Sequence, residues 1–196
     1  MKGASNTAAM SCDEFAVLAS TPIFSGRVFS VRTDEVRGPD GRTMKLDIVG
    51  HRGSYGIIAT ADAGIVLVRQ YRHPLRRMLW EIPAGTAERD EEMVSGALRE
   101  LAEETGFHAR RIRPLGWLAM TPGFCDEVLH FFWADDLQAG TQSLDEDEAI
   151  DVGVFSQKDA RRLLHTGEII DAKTVLALQW LERGRYDEPI GVQAPS

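Results

Sequence analysis

The chain has 196 residues, 43% hydrophobic and 27% charged, with 22 Lys and Arg against 30 Asp and Glu and a formal net charge of -8. This suits one globular domain with a small appendage, and the acidic balance argues against a nucleic-acid surface, which needs clustered Lys and Arg. Two cysteines, Cys12 and Cys125, suggest neither a disulfide framework nor a Cys-based zinc site; no apolar run is long enough to cross a bilayer and "MKGASNTAAMSCDEF" lacks a signal-peptide core, so the expectation is a cytoplasmic protein with no membrane partner.

In chain order, residues 1–20 are small and polar without sustained period and read as a flexible leader. Residues 21–53 read as a β-sheet region, with "GRVFSVRTDEV" and "KLDIVG" alternating on either side of the turn "GPDG". A second strand pair follows in "SYGIIATADAGIVLVRQYRH", turning at Asp62 to Gly64. Pro83 and Gly85 punctuate "WEIPAG". Over residues 90–105 Val94, Ala97, Leu98 and Leu101 then recur at helical spacing, with Asp90 as the expected N-cap and Gly106 as the stop. Strand-like "PLGWLAM", the turn "TPGFCD" and strand-like "EVLHFFWA" come next, followed by an acidic loop from Gln138 to Glu148. The strand "IDVGVF" and two helices, residues 157–165 and 172–183, close the globular region at about residue 186, leaving 187–196 as a tail. Strands interleaved with a few helices, without regular βαβ alternation, predict an α/β (α+β) fold with a mixed sheet and helices on its faces.

On the predicted helix Glu100, Glu103 and Glu104 fall at i, i+3 and i+4 and share one face. Alone, such a run reads as a solvated surface; it also suits hard divalent cations, which take carboxylate and phosphate oxygens. The flanking residues decide between these readings. "GTAERDEEMVSGALRELAEETGF" sets Gly85, Glu91, Arg99, Glu100, Leu101, Glu103, Glu104, Gly106 and Phe107 at the spacing G-x5-E-x7-R-E-U-x-E-E-x-G-U, which resembles the Nudix box at every defined position.

The resemblance implies an α/β/α sandwich around a mixed sheet, with a small N-terminal antiparallel β-sheet arm. It also implies hydrolysis of nucleoside diphosphates linked to another moiety, with Mg²⁺, or Mn²⁺ as the alternative ion, in roughly two or three copies once substrate is bound. By position in the box, Glu100 and Glu104 are the expected principal metal ligands, Glu103 an additional one, and the Ala84 carbonyl a backbone ligand. Arg99 orients a carboxylate, expected to be Glu91, while Gly85 and Gly106 shape the motif. Such chemistry rests on positioning and electrostatics, so no Ser, Cys or His nucleophile is required.

Pro122 lies sixteen residues beyond Gly106 in "MTPGFCDE". By itself Pro122 beside Gly123 is turn chemistry. At that distance from the box it resembles the mark of ADP-ribose pyrophosphatases, and "GRVFSVRTDEV", "VRQYRHPLRRMLWEIPAG" and "DAKTVLALQWL" are similar to further parts of that subfamily. The likeness implies a homodimer that exchanges its N-terminal sheets and converts ADP-ribose and water to AMP and ribose 5-phosphate. It puts Arg72 at substrate phosphate, Glu81 near the adenosine end, Arg27 at the adenine from the partner subunit, and Pro122 and Gly123 in the substrate-binding loop. In "SLDEDEAIDV", otherwise a solvated charge run, Glu146 aligns with the subfamily's loop general base and Glu148 is the next candidate. One departure stands out: some relatives read adenine with an Arg-Glu pair where this chain has Asp47 and Ile48. Other ADP-sugars, GDP-mannose, a flavin or dinucleotide, or a dinucleoside polyphosphate therefore stay open as substrates. A non-catalytic ADP-ribose sensor would be expected to carry a damaged box and a basic segment, and a calcium protein the spaced Asp, Asn and Gly of a calcium loop; this sequence has none of these.

Overall fold

A computed structural model of the chain describes residues 11–144 and 148–184. Its contacts divide it into two units, one running to His51 with Thr121–Asp126, the other comprising Arg52–Met120 and the chain from Glu127.

The first unit is an antiparallel sheet in the order β1 (Ala16–Ser25), β2 (Phe29–Arg37), β3 (Thr43–His51). The β2–β3 hairpin turns at the expected place: Gly38 N–H donates to the Arg42 carbonyl at 2.9 Å, and Gly41 takes the left-handed φ of 78°. The expected leader is corrected from Ala16 onward, since Ala16 to Ser20 pair with β2. Register shifts between Val17 and Ala19 and between Pro22 and Phe24 break the period of two, which hides this strand from a search for alternation. Residues 1–10 lie outside the described residues, as do 185–196 and therefore the expected tail. The "TPGFC" turn joins this sheet through Val49 N–H to the Phe124 carbonyl at 2.7 Å and His51 N–H to Asp126 Oδ1 at 2.7 Å.

The second unit is built on a seven-stranded sheet of β4 (Ser54–Ala61), β5 (Gly64–Arg72), β6 (Arg77–Glu81), β7 (Ala84–Thr86), β8 (Phe107–Ala119), β9 (Val128–Ala139) and β10 (Ile150–Phe155). The main path runs β10-β5-β4-β9-β8, with β6 on β5 and β7 on β4. Among the described residues of this sheet only β4 and β9 pair in parallel, so the sheet is mixed as expected. Its central strands are buried on both faces, which is why "GIVLV" and "FFWA" read as continuous apolar runs. Ile57, Ala59, Val66 and Phe132 pack with Ala97 and Leu101 of α1 (Met93–Thr105). Their sequence neighbours Ile58, Ile65, Leu67, Phe131 and Trp133 pack on the opposite side with Leu163 of α2 (Gln157–Thr166) and with Ala177, Leu178 and Leu181 of α3 (Ala172–Arg183). The alternation thus produces the sandwich.

Helix α1 starts at Met93, and its cap is Glu92, whose Oε2 accepts the Ser95 N–H at 2.8 Å. Asp90, the expected cap, instead holds a left-handed φ of 59°, whereas an N-cap is extended. Gly106 ends the helix as expected, with φ 71°. Strand β8 begins directly after it and is longer than "PLGWLAM", its register broken by a shift between Pro114 and Gly116.

What positions the site is a split in the sheet. Strands β4 and β5 pair only beside their turn, Thr60 with Ile65 and Ala61 with Gly64, then take separate partners, β7 and β6. Residues Ile82 and Pro83 bridge β6 and β7, with the Pro83 carbonyl accepting Ile57 N–H of β4 at 2.9 Å. The sequence pattern marks these residues as punctuation; two short strands flank them.

Candidate active site

The acidic face of α1 is organised by Arg99. Its Nε and Nη2 donate to the two oxygens of Glu91 at 2.8 and 3.1 Å, while Nη1 donates to Glu100 Oε1 at 2.9 Å and Glu103 Oε2 at 2.8 Å. One fork-shaped cation therefore aligns three carboxylates that would otherwise repel. Gly96, one turn earlier on α1, leaves room for the Tyr55 ring and for Glu91; a methyl there would overlap Tyr55.

Glu104 sits deeper, 4% exposed, and its Oε2 accepts the Ala84 N–H at 2.9 Å. The Glu100 carboxylate lies directly on the α-carbon of Gly85, where any Cβ would overlap it, so the glycine of the motif is a steric requirement of the carboxylate's position. Burial pushes the Glu104 carboxyl up to about 8, helped by the charges of Glu100 and Glu148 and opposed by the Ala84 N–H. Burial likewise lifts Glu100 to about 7, with Arg99 opposing and Glu103 and Glu148 adding. A buried Glu104 with no side-chain cation bonded to it among the described residues and a part-buried Glu100 that shares Arg99 with two other carboxylates are oxygen donors that fit a hard divalent cation. Among the described residues no three His, Cys, Asp or Glu side chains already converge as a complete metal site. The chemistry of Mg²⁺ suits this, since it is ordinarily held by one or two carboxylates with substrate phosphate and water completing the shell.

Beside Ala84 and Glu104 lies a second charged group. Arg72, at the end of β5, donates through Nε and Nη2 to the two oxygens of Glu81, both at 2.7 Å. Lys173 donates to Glu81 Oε2 as well. Burial would raise the Glu81 carboxyl, but the Arg72 hydrogen bonds and the Lys173 charge hold it below the ordinary carboxylate range. The structure thus brings together Glu91, Arg99, Glu100 and Glu103, joins Glu104 to Ala84, and pairs Arg72 with Glu81. Glu148 is exposed, and its charge acts on Glu100 and Glu104. Glu146 lies outside the described residues. Arg27, in the β1–β2 turn, and Pro122 and Gly123, in the 121–126 loop, belong to the first unit.

Sequence reasoning missed Lys173 and Thr174, and the contacts Asp171 makes with them, although "DAKT" opens a stretch similar to the subfamily. It also missed Gln142, whose side-chain amide donates to the carbonyls of Glu104 at 2.6 Å and Ile150 at 3.2 Å, tying the base of the acidic loop to α1. A lone Gln in a polar loop carries no spacing signal.

Residues 50–178 match the NUDIX domain family. The chain is 40% identical over 172 residues to a Bacillus subtilis protein named ADP-ribose pyrophosphatase, spanning 86% of this chain and 93% of the relative. A Bacillus methanolicus protein named methanol dehydrogenase activator matches with the same identity and coverage. A Shigella flexneri protein named GDP-mannose pyrophosphatase is 36% identical over 84% of this chain and 94% of its own length. Among solved structures, an ADP compounds hydrolase superposes with a TM-score of 0.79 at 22% identity, over 91% of this chain and 99% of that one, which speaks to the fold. With the box intact, Glu100, Glu103 and Glu104 gathered on α1 and these matches running along most of its length, the chain belongs to the NUDIX family.

Proposed function

We propose that the protein hydrolyses the pyrophosphate bond of ADP-ribose, releasing AMP and ribose 5-phosphate. The observation that carries this reading is the similarity, along most of the chain, to a relative named ADP-ribose pyrophosphatase, in a protein whose part-buried Glu100 and buried Glu104 lie beside the Ala84 loop.

Mg²⁺, or Mn²⁺ in its place, neutralises pyrophosphate charge and activates water when bound, in roughly two or three copies. Glu100 and Glu104 are its principal holders, with Glu103 and the Ala84 carbonyl beside them. Arg99 keeps Glu91, Glu100 and Glu103 in line. Arg72 offers its guanidinium to a phosphate, and Glu81 lies at the adenosine end, where it acts on Arg72 directly. Glu146, or Glu148 as the next candidate, takes the proton of the attacking water; the Glu148 charge already felt by Glu100 and Glu104 supports a loop carboxylate near them. Another carboxylate there is costly until cations arrive, so the base is best tolerated once they are bound.

The enzyme in this reading is a cytoplasmic homodimer, with residues 21–53 exchanged between subunits, 54–186 forming the hydrolase and 187–196 a tail. Val17, Ile23 and Phe24 on β1 are 65%, 63% and 52% exposed, and apolar exposure of that kind on one strand suits a second copy. The partner subunit's Arg27 then approaches the adenine, and Pro122 and Gly123 border the substrate. Free thiols at Cys12 and Cys125 accord with a reducing compartment.

A second reading, GDP-mannose, is favoured by the Shigella relative and by Asp47, which stands where an adenine-reading residue is expected and accepts from Thr33 Oγ1 at 2.7 Å. Comparing kcat/KM for ADP-ribose, other ADP-sugars, GDP-mannose, a flavin dinucleotide and a dinucleoside polyphosphate tests both. ADP-ribose should lead by about tenfold or more, a difference of ~1.4 kcal/mol in transition-state stabilisation. GDP-mannose in the lead would install the second reading, and ADP-ribose binding without turnover of any substrate would mark a sensor.

A further inference from the structure

The first turn of α3 does more than pack on the sheet. Asp171 caps the helix by accepting the Thr174 N–H at 3.0 Å, and the same oxygen, Oδ2, accepts the Thr174 hydroxyl at 2.7 Å and Lys173 Nζ at 3.0 Å. With its single proton committed to Asp171, the Thr174 hydroxyl has only lone pairs left to offer, and it accepts the Ile82 N–H at 2.8 Å. Lys173 meanwhile reaches Glu81 Oε2. The helix start therefore grips the end of β6 and the residue that follows it, Glu81 by its carboxylate and Ile82 by its backbone.

Glu81 in turn holds Arg72. Glu81, at the middle of the chain of contacts, is the most buried of the three side chains, 2% exposed against 39% for Arg72 and 11% for Lys173. The bidentate pair fixes the plane of the guanidinium and uses two of its five N–H donors, so three are directed away from Glu81. A carboxylate held by one partner can still rock and carry that plane with it. Held also by Lys173, and beside a peptide anchored by Thr174, it has less freedom to do so.

We propose that Asp171, Lys173 and Thr174 are positioning residues that aim Arg72, by way of Glu81, at a phosphate of the substrate. The inference rests on the reading of the site as one that binds a nucleoside diphosphate sugar. A network serving stability alone would use the same contacts, so the test must read what stability does not move.

The experiment is a double-mutant cycle of Lys173→Met and Arg72→Ala in the full-length protein, read as Kd for inorganic pyrophosphate by calorimetry with Mg²⁺ and as KM and kcat for ADP-ribose. Lys173→Met alone should raise Kd and KM about tenfold with kcat within about threefold, and Lys173→Arg should recover most of the loss. In the Arg72→Ala background, Lys173→Met should add less than about twofold, because the residue it aims is gone. Should Lys173→Met fail to fold, Thr174→Val against Thr174→Ser replaces it, with only the valine variant expected to weaken binding. Losses that multiply across the cycle, an effect on kcat alone, or a wild-type protein that does not bind pyrophosphate would overturn the proposal. A wild type that binds pyrophosphate and follows the cycle, yet leaves ADP-ribose intact, would instead sink the functional reading and leave the positioning role standing.

Discussion

Glu100 and Glu104 lie one turn apart on α1 but meet different surroundings. Glu100 shares Arg99 with Glu91 and Glu103, whereas Glu104 is answered by a backbone N–H from Ala84. Burial is the largest influence on both and raises both carboxyls, against Arg99 at Glu100 and the Ala84 N–H at Glu104. While the pressing of Glu100 on Gly85 is seen only once α1 is packed against β7, the spacing of the box makes Arg99, Glu91 and Gly85 legible in the amino-acid sequence as members of the motif. The Ala84 N–H to Glu104 bond is not legible there, because it joins residues twenty apart through a split in the sheet. The loop base is legible only as a choice. For that choice the expected outcome is that Glu146→Gln lowers kcat by about a hundredfold or more with little change in KM, as loss of a general base should. Steady-state kinetics of Glu146→Gln beside Glu148→Gln decide it: the larger kcat loss in Glu148→Gln would move the assignment by two residues.

At the scale of elements, helices are easier to find than strands. The starts and stops of α2 and α3 are written in single residues, Ser156 and Gly167, Asp171 and Gly184, that cap them in the structure. Strand β1 is hidden by two register shifts, and β6 and β7 by the Pro83 between them and the Gly85 within β7. The α3 network escapes a sequence reading because Lys173 meets Glu81 across ninety-two positions of sequence. That network carries a pH signature. Glu81 faces Arg72 from β5 and Lys173 from α3, with Asp171 behind Lys173, and its carboxyl is held below the ordinary value of 4.5. A depressed carboxyl contributes stability above its unfolded value and loses it as pH falls through the folded one. Glu81→Gln, which leaves two cations facing a neutral amide, should lower Tm at pH 7 by on the order of 5–10 °C. Thermal melts from pH 7 toward pH 3 should then show the gap to wild type narrowing as Glu81 itself becomes neutral; a gap that widens toward acid would contradict the ion-pair account.

For the whole molecule, alternation along β4, β5 and β9 settles which helix covers which face, and α1 is thereby laid against the split where Ile82 and Pro83 cross. The mixed sheet is predictable because strands and helices do not alternate regularly; the parallel β4–β9 pair is not, because it joins strands some seventy residues apart. The sandwich matters to the chemistry only if the buried glutamates it presents hold a cation against a pyrophosphate. The most direct test is the release of AMP from ADP-ribose by wild-type protein, with Mg²⁺ and after chelation, beside Glu100→Gln and Glu104→Gln. AMP and ribose 5-phosphate should form in equal amounts only with the metal, and each variant should lose kcat by on the order of a thousandfold. Undiminished release after chelation, or near-wild-type turnover in both variants at saturating Mg²⁺, would contradict the account.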